Sequence, residues 1–386
     1  MAKQNRKLPA TTFIIFLVCL SGAVFTSLYF LFSDAVVRAP TPVFEEIYYA
    51  PPGLREEIRR IDYAIYEALY LNGTPESDVS FLDVQPRRHG NDVWEFAELS
   101  VRCRDIGAAR NLQKIIRDRL APLGPAVVFR DREISDGQIA CRILANNRFT
   151  HRIILDFSTP RSLPEDVRPK IAFIIDDLGY DPGMAHSFLE LDLPISFSIL
   201  PSATFTERIA QEAEKKGRDL ILHLPMEPKH YPSVDPGPGA LLLSMDEQEI
   251  RQTMDRDLQQ VPWVKGVNNH MGSCFTEDRE KMTVVLGELK KRNLFYIDSR
   301  TSRASVGYRL ARQMGVPTAR RNVFLDNDLA PRAIKIQLER LMSMARHSGR
   351  AIGIGHPHSE TLRVLKEYLP RIKKEFRVVP AADLVS

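Results

Sequence analysis

The strongest constraint on the fold is a regular alternation of apolar and amphipathic segments in the C-terminal part of the chain. Strands that alternate with helices indicate a parallel sheet, because each crossover between parallel strands takes a helix. Seven such units in series favour a closed or nearly closed barrel, with an open doubly wound sheet as the alternative. The predicted strands are Ile171–Ile175, Ile195–Leu200, Leu220–Leu224, Gly266–Asn269, Leu294–Ile297, Ala319–Leu325 and Ala351–Gly355. The predicted helices are Pro182–Leu191, Thr206–Lys216, Asp246–Leu258, Glu277–Arg292, Val306–Met314, Pro331–His347 and Glu360–Phe376.

Side chains of acid–base and metal-binding type follow these predicted strands. In a parallel barrel the carboxyl ends of all strands meet at one face, where active sites lie. Six of the seven strands lead into such a residue, so we expect the side chains to form one cluster. In chain order they are Asp176 with Asp177, His223, His270, Asp298, Asp326 and His356.

One carboxylate and two neutral imidazoles form a suitable site for zinc or another divalent first-row metal. We predict Asp177, His223 and His270 as the ligands. Water bound to such a metal is a ready nucleophile, and Asp176 is the simplest general base for it. His356 is the best placed general acid for the leaving group. Adjacent aspartates face opposite sides of an ideal strand, but the chain turns at the strand's end, so both can reach the site.

Residues 170–380 resemble the divergent polysaccharide deacetylases, a branch of the carbohydrate esterase and polysaccharide deacetylase superfamily. Six segments in the same order carry the resemblance. They are IIDDLG at 174–179, HLPMEP at 223–228, NNHMGS at 268–273, DSRT at 298–301, FLDN at 324–327 and GIGHPH at 353–358.

The resemblance implies a distorted (β/α)7 barrel and metal-dependent hydrolysis of an N-acetyl or similar group. It implies that Asp176 is the base and Asp177 a metal ligand, and that His356, in a segment like Leu-x-His, is the acid, with His358 as a flanking competitor. Typical members of the superfamily carry both metal histidines on an H-x-x-x-H helix. This chain has Glu227 four residues after His223, so the second histidine ligand, His270, is inferred from its strand-end position.

Several further residues of the same segments have two possible roles each. Glu227 is either a second carboxylate of the site or part of a structural turn between prolines. Asn268 and Asn269 either bind substrate or close the fourth strand. Asp298 and Asp326 either orient histidines or bind substrate, and Arg300 stabilises a carboxylate or oxyanion or lies at the surface. Four histidines away from strand ends are predicted to lie at the surface: His151, His186, His230 and His347.

The N-terminus predicts a membrane anchor. The uncharged run Phe13–Phe32 is about 20 residues long, enough to cross a bilayer as a helix. Because Lys3, Arg6 and Lys7 precede it, the start is expected in the cytoplasm and the bulk of the chain in the periplasm, as a single-pass protein of the inner membrane. A cleaved signal peptide is the alternative. The predicted divisions are 1–35 (anchor or signal), 36–52 (linker), 53–157 (small domain), 158–168 (linker) and 169–386 (barrel).

The region 53–157 is predicted to be a small α+β domain without a catalytic cluster, which favours a spacer or interaction module over a second enzyme. Its predicted helices are Leu54–Leu71 and Ile106–Leu120. Its predicted strands are Val93–Val101, Val127–Arg130 and the strands within Ile139–Phe157.

Charge and cysteine content exclude some classes of function. A net charge of +4 with interspersed signs is too weak to indicate a nucleic-acid partner. None of the four cysteines forms a CxxC pair, so a cysteine-based zinc or redox motif is absent. Cys103 and Cys141 are compatible with a disulfide in an oxidising compartment and equally with two buried thiols.

Together these features predict an envelope-anchored, metal-dependent hydrolase that removes N-acetyl groups from a glycan such as peptidoglycan. The alternative is an inactive barrel that binds a glycan or a cell-wall partner, since a fold does not fix a function. A weaker third hypothesis is hydrolysis of a glycosidic bond, which needs two carboxyl groups about 5–10 Å apart.

Overall fold

The structure is a computed structural model. It describes residues 52–75, 78–89, 92–135, 137–158 and 168–386. The predicted anchor, Phe13–Phe32, lies outside the described residues, as do most of the linkers 36–52 and 158–168. Within the described ranges, no helix combines the length and the apolar character that a bilayer crossing requires.

Residues 52–158 fold into a five-stranded sheet with two helices. The strand order is β1-β2-β5-β4-β3, in which β2 and β5 are parallel and the other neighbours are antiparallel. Both predicted helices are present. Cys103 and Cys141 are buried free thiols rather than a disulfide. The elements are α1 (Pro52–Leu71), β1 (Val79–His89), β2 (Asp92–Arg102), α2 (Ile106–Leu120), β3 (Val127–Ser135), β4 (Gln138–Ala145) and β5 (Arg148–Asp156).

Residues 168–386 form an α/β unit with a parallel, half-barrel sheet. Its order is β11-β10-β9-β8-β7-β6-β13-β12, with β14 beside β6, which confirms the predicted parallel α/β architecture. The strands are β6 (Lys170–Leu178), β7 (Ser196–Ile199), β8 (Asp219–Met226), β9 (Gly266–Met271), β10 (Phe295–Asp298), β11 (Thr318–Arg320), β12 (Val323–Phe324), β13 (Arg350–Gly355) and β14 (Arg377–Val378). The helices are α3 (Pro182–Leu189), α4 (Thr206–Lys215), α5 (Glu247–Gln260), α6 (Arg279–Lys291), α7 (Gly307–Met314), α8 (Pro331–Ser348) and α9 (Ser359–Glu375).

The predicted strand Ala319–Leu325 is divided in the structure into β11, which pairs with β10, and β12, which pairs with β13. Only Arg321 and Asn322 separate the two halves, so the two ends of the strand order are consecutive in the chain. Arg321 is buried at this junction and donates to the carbonyl oxygens of Ser299 (2.6 Å) and Arg300 (3.1 Å). These hydrogen bonds hold Arg321 at the point where the chain passes from β11, which pairs with β10, to β12, which pairs with β13.

Strand β1 is an element that the sequence did not predict. A bulge between Phe81 and Asp83 interrupts the alternation of inward and outward side chains that identifies a strand. Helix α8 covers its outer edge: Ser343 Oγ accepts from the Phe81 amide at 2.9 Å and donates to the Val79 carbonyl at 2.8 Å. The five-stranded sheet is therefore connected to helix α8 of the α/β unit by hydrogen bonds as well as by apolar packing.

A buried charge network also joins the two parts. Asp62 of α1 forms an ion pair with Arg340 of α8, and its Oδ1 lies 3.0 Å from His151 Nε2 on β5. Arg340 and His151 are almost fully buried, so the prediction that His151 lies at the surface was wrong. Burial acts to raise the pKa of Asp62, but Arg340 and His151 hold it below its usual value.

We predict that Asp62→Asn lowers the free energy of unfolding by about 3–5 kcal/mol, because it leaves the buried Arg340 guanidinium uncompensated. Urea denaturation followed by circular dichroism measures the change. The matched control is Glu367→Gln, which removes one partner of the exposed Lys335–Glu367 pair and is expected to cost at most about 1 kcal/mol. Equal losses in the two variants would contradict the role of Asp62.

Candidate metal centre

Both neighbouring aspartates at the end of β6 point into the same buried site. The pairing of β6 with β7 is irregular between Ile175 and Leu178, and Asp177 adopts a left-handed backbone conformation with φ 55°. This turn brings a second carboxylate to the side already occupied by Asp176, and both side chains are buried. Asp177 therefore provides the turn that was expected at the end of this strand.

Three potential ligand atoms converge beside Asp177. Asp177 Oδ1 lies 3.0 Å from His223 Nε2 and 2.9 Å from His270 Nδ1, and the two nitrogens are 3.1 Å apart. Neighbouring ligands of a tetrahedral zinc, with bonds near 2.0–2.1 Å, are separated by about 3.3 Å. The three predicted ligands therefore form a buried Asp–His–His group of suitable dimensions.

Asn268 decides which nitrogen of His223 carries the proton. Its Nδ2 donates to both carboxylate oxygens of Asp176, at 2.9 and 3.0 Å, so its Oδ1 faces His223 Nδ1 at 2.9 Å. Ser198 Oγ donates to the same Oδ1 at 2.7 Å. Since a carbonyl oxygen only accepts, Nδ1 of His223 is the protonated nitrogen and Nε2 presents a lone pair to Asp177.

This donor set fits a cation. Neither carboxylate oxygen of Asp177 finds a hydrogen-bond donor of good geometry among the described residues, and Oδ1 faces the lone pair of His223 Nε2. Two acceptors at such a distance in a buried site repel one another unless a positive charge lies between them. A divalent metal held by Asp177, His223 and His270 would satisfy all three atoms.

The surroundings keep these groups in the protonation states that bind metal. Burial acts to raise the pKa of Asp177, but the charge that His270 carries in acid outweighs it and holds that pKa well below its usual range. Burial lowers the pKa of His270, against the opposing effect of Asp177. The carboxylate is therefore ionised and the imidazole neutral near neutral pH.

His356 approaches the same carboxylate from β13. Its Nε2 lies 3.9 Å from Asp177 Oδ2, and its Nδ1 lies 2.8 Å from Asp326 Oδ1. The second oxygen of Asp326 accepts from the His356 amide (2.7 Å) and from Thr361 Oγ1 (2.6 Å). Burial acts to raise the pKa of Asp326, but His356 and these donors keep it below its usual value. Asp326 thus orients the imidazole, one of the two roles predicted for it.

Comparison with known proteins identifies the family. Residues 173–385 match the family model of the divergent polysaccharide deacetylases. The chain belongs to this family. It is 32% identical over 236 residues to the uncharacterized protein YibQ of Escherichia coli K12. The aligned residues cover 61% of this chain and 73% of YibQ. An uncharacterized protein of Haemophilus influenzae is 33% identical over 215 residues, 56% of this chain and 76% of that protein.

A solved structure supports the fold alone. The crystal structure of the uncharacterized protein ATU2773 from Agrobacterium tumefaciens C58 superimposes with a TM-score of 0.54 at 24% identity. The match covers 58% of this chain and 92% of that chain.

In this member of the family, Glu227 has a structural contact rather than a place among the ligand atoms. Its Oε2 accepts from the Leu243 amide at 2.6 Å, and its carbonyl accepts from the Cys274 and Phe275 amides. The geometry corresponds to the structural turn, the second of the two roles considered for it.

Three other predicted residues organise the loop after β10. Asp298 accepts from the amides of Arg300 and Tyr308, rather than contacting a histidine. Asn269 accepts from the Ser299 amide and from the Tyr296 hydroxyl. These bonds close the end of β9, the fourth predicted strand, which is one of the two roles considered for Asn269. Arg300 is largely buried, with its Nη1 3.9 Å from Asp83 on β1.

The sequence analysis predicted His358 as a residue of the site, but it assigned no role in the site to Ser198 or Thr361. The His358 ring lies 6.2 Å from that of His356, at the edge of the site. Ser198 and Thr361 each orient a residue of the centre, through Asn268 and Asp326. Their hydroxyls are not recognisable in the sequence, because serine and threonine are frequent at the ends of strands and helices for many reasons.

We predict that the purified protein holds about one divalent metal per chain and that His223→Ala and His270→Ala each lose it on dialysis. Each change removes one of three protein ligands from a site that depends on all of them. Metal content by inductively coupled plasma mass spectrometry measures the loss. His186→Ala, at a half-exposed histidine paired with Glu212, is the control and should retain the metal. Full retention in both ligand variants would refute this ligand set.

Proposed function

We propose that this chain is a metal-dependent hydrolase that removes N-acetyl groups from a glycan of the cell envelope, such as peptidoglycan. The observation that carries the proposal is the arrangement around Asp177. Asp176 and His356 flank a carboxylate–imidazole–imidazole group in a chain of the divergent polysaccharide deacetylase family. A base, an acid and a Lewis-acid site are the three components that amide hydrolysis by a water molecule requires.

The chain's own residues have distinct tasks in this reaction. A divalent metal, when bound, polarises the acyl carbonyl and acidifies water. Asp176, held by two hydrogen bonds from Asn268, takes the proton of the attacking water. His356, whose Nδ1 is held by Asp326, gives a proton from Nε2 to the departing amine. The amine would otherwise leave as a strongly basic anion, so this proton transfer is essential.

Two structural details belong to the same proposal. We propose zinc as the metal, because one carboxylate and two imidazole ligands suit zinc and leave positions for water and substrate. The half-barrel sheet corresponds in our proposal to a distorted (β/α)7 barrel, in which residues 318–324 count as one strand between β10 and β13. The pairings of β11 and β12 support this description.

We further propose that the protein is a single-pass protein of the inner membrane with its catalytic part outside the cytoplasm. The support is the apolar run Phe13–Phe32 behind three basic residues. A glycan of the envelope is then within reach of the site.

We predict that Asp176→Asn lowers kcat/KM for acetate release by about 10²–10⁴-fold, because the amide cannot accept the proton of the attacking water. The metal content should stay at the wild-type level, since Asp176 is not a proposed ligand. Acetate released from N-acetylglucosamine hexamers or from peptidoglycan is measured by a coupled enzymatic assay.

The matched control is Asp192→Asn, the same chemical change at an exposed carboxylate, which should leave acetate release unchanged. Wild-type activity in Asp176→Asn would exclude Asp176 as the base. A wild-type protein that holds metal but releases no acetate from any glycan would favour the alternative, a barrel that binds a glycan or a cell-wall partner.

We predict that Asp326→Asn moves the alkaline limb of the kcat profile to lower pH. The ionised Asp326 stabilises the imidazolium form of His356, the form that donates a proton. Without the negative charge the ring loses its proton at lower pH, so activity falls earlier as pH rises. Rates are measured between about pH 5 and pH 10, a range that includes the titration of an imidazole. A uniform loss of rate with an unchanged limb would argue against His356 as the acid.

A further inference from the structure

A basic cavity lies where the five-stranded sheet meets the loop that follows β10. Its volume is about 290 Å³, close to the lower limit of about 300 Å³ for small-molecule sites. It is large enough for one sugar residue or one charged substituent. Its main lining residues are Arg87, His89, Trp94, Arg148, Phe149 and Arg303.

The residues that line the cavity carry positive and no negative charge. Three arginines and a histidine line the cavity, and none of its lining residues is acidic. Arg148 is paired with Asp92 at 2.9 Å. In the described part of the chain, neither Arg87 nor Arg303 forms an ion pair with a carboxylate. Burial and then the charge of Arg303 lower the pKa of Arg87, and the carboxylates of Glu98 and Asp83 partly oppose them.

Arg87 is held in a fixed plane. Its guanidinium carbon lies 3.4 Å from the centroid of the Phe96 ring and 4.8 Å from that of Phe149. Its Nε is buried, without a hydrogen-bond partner among the described residues. A stacked guanidinium with donors still available is preorganised for a carboxylate or phosphate, which it can bind through two parallel hydrogen bonds.

The cavity is connected to the metal centre through one short loop. Arg303 stands two residues after Thr301, whose hydroxyl donates to the Met271 carbonyl at 2.8 Å. Met271 directly follows the proposed ligand His270. The same loop also contacts the five-stranded sheet, since Arg300 Nη1 lies 3.9 Å from Asp83 of β1. The loop after β10 therefore supplies one lining residue of the cavity, Arg303, and also contacts the residue that follows His270.

We propose that this cavity binds an anionic group, a carboxylate or a phosphate, on the glycan whose acyl group lies at the metal centre. The small domain is then a substrate-binding module that selects anionic over neutral glycans. Arg87 and Arg303 bind the negative charge, and Trp94 and Phe149 form an apolar wall against the sugar. This inference rests on the proposed function for the identity of the ligand as a glycan.

Binding to the full chain in mild detergent tests the proposal, with Asp176→Asn preventing turnover and Trp263→Phe leaving Trp94 as the single tryptophan. Three probes are titrated: neutral N-acetylglucosamine hexamer, the same hexamer with phosphate monoesters, and a peptide-free oligomer that alternates N-acetylglucosamine with carboxylate-bearing N-acetylmuramic acid. We expect at least one anionic probe to bind about 10-fold more tightly than the neutral hexamer and to change Trp94 fluorescence. The better of the two identifies carboxylate or phosphate as the recognised group.

Arg303→Ala should weaken binding of the preferred anionic probe about 10-fold and leave binding of the neutral hexamer unchanged. Arg303 is exposed, so this change leaves the core intact, and Arg303→Lys should restore part of the affinity. Arg132→Ala, at an exposed arginine on the opposite edge strand β3, is the matched control and should bind normally. Equal affinity for neutral and anionic probes, or wild-type binding by both Arg303→Ala and Arg87→Ala, would overturn the proposal.

The two proposals fail separately in these measurements. Arg303-dependent binding of an anionic glycan without acetate release by the wild-type chain refutes the hydrolysis and keeps the binding site. Normal acetate release with no preference for anionic glycans refutes the binding site and keeps the hydrolysis.

Discussion

The buried carboxylate of Asp177 is the constraint on which the arrangement of the centre depends. Removing a charge from water costs several kcal/mol unless nearby groups compensate it. Here the nearest polar atoms are two imidazole nitrogens about 3 Å away, and the lone pair of His223 Nε2 adds repulsion rather than compensating the charge. A cation among these atoms relieves both the desolvation and the repulsion, so metal binding is expected to contribute to the stability of the fold.

The left-handed conformation of Asp177 is consistent with this account. A non-glycine residue in that region is strained by about 1–3 kcal/mol and persists only where the surroundings enforce it. Met271 and Arg300, at the ends of β9 and β10, have the same conformation. At Asp177 the positive φ value turns toward the site a side chain that a regular strand would direct to the opposite face.

The sequence predicted those parts of the molecule that depend on local patterns. Hydrophobic periodicity identified the strands and helices of the parallel sheet, and the convergence of strand ends placed Asp177, His223 and His270 together. The sequence could not decide the roles of Asn268 and Glu227, because each role depends on which atoms of distant residues face the side chain. Strand β1 was missed since its bulge interrupts the alternation, and the pairing of Asp62 with Arg340 joins residues far apart in the chain.

The centre also shows how a chain without the H-x-x-x-H helix can still bring two histidines together. On a helix, residues four apart lie on one face. Here His223 and His270 stand on adjacent parallel strands, where His223 is in register with Asn268 and Pro225 with His270. Neighbouring strands are about 4.8 Å apart, which lets the rings meet in an edge-to-face contact. A shift of register by one residue would turn His270 away, so the ladder between β8 and β9 sets the geometry of the two proposed histidine ligands.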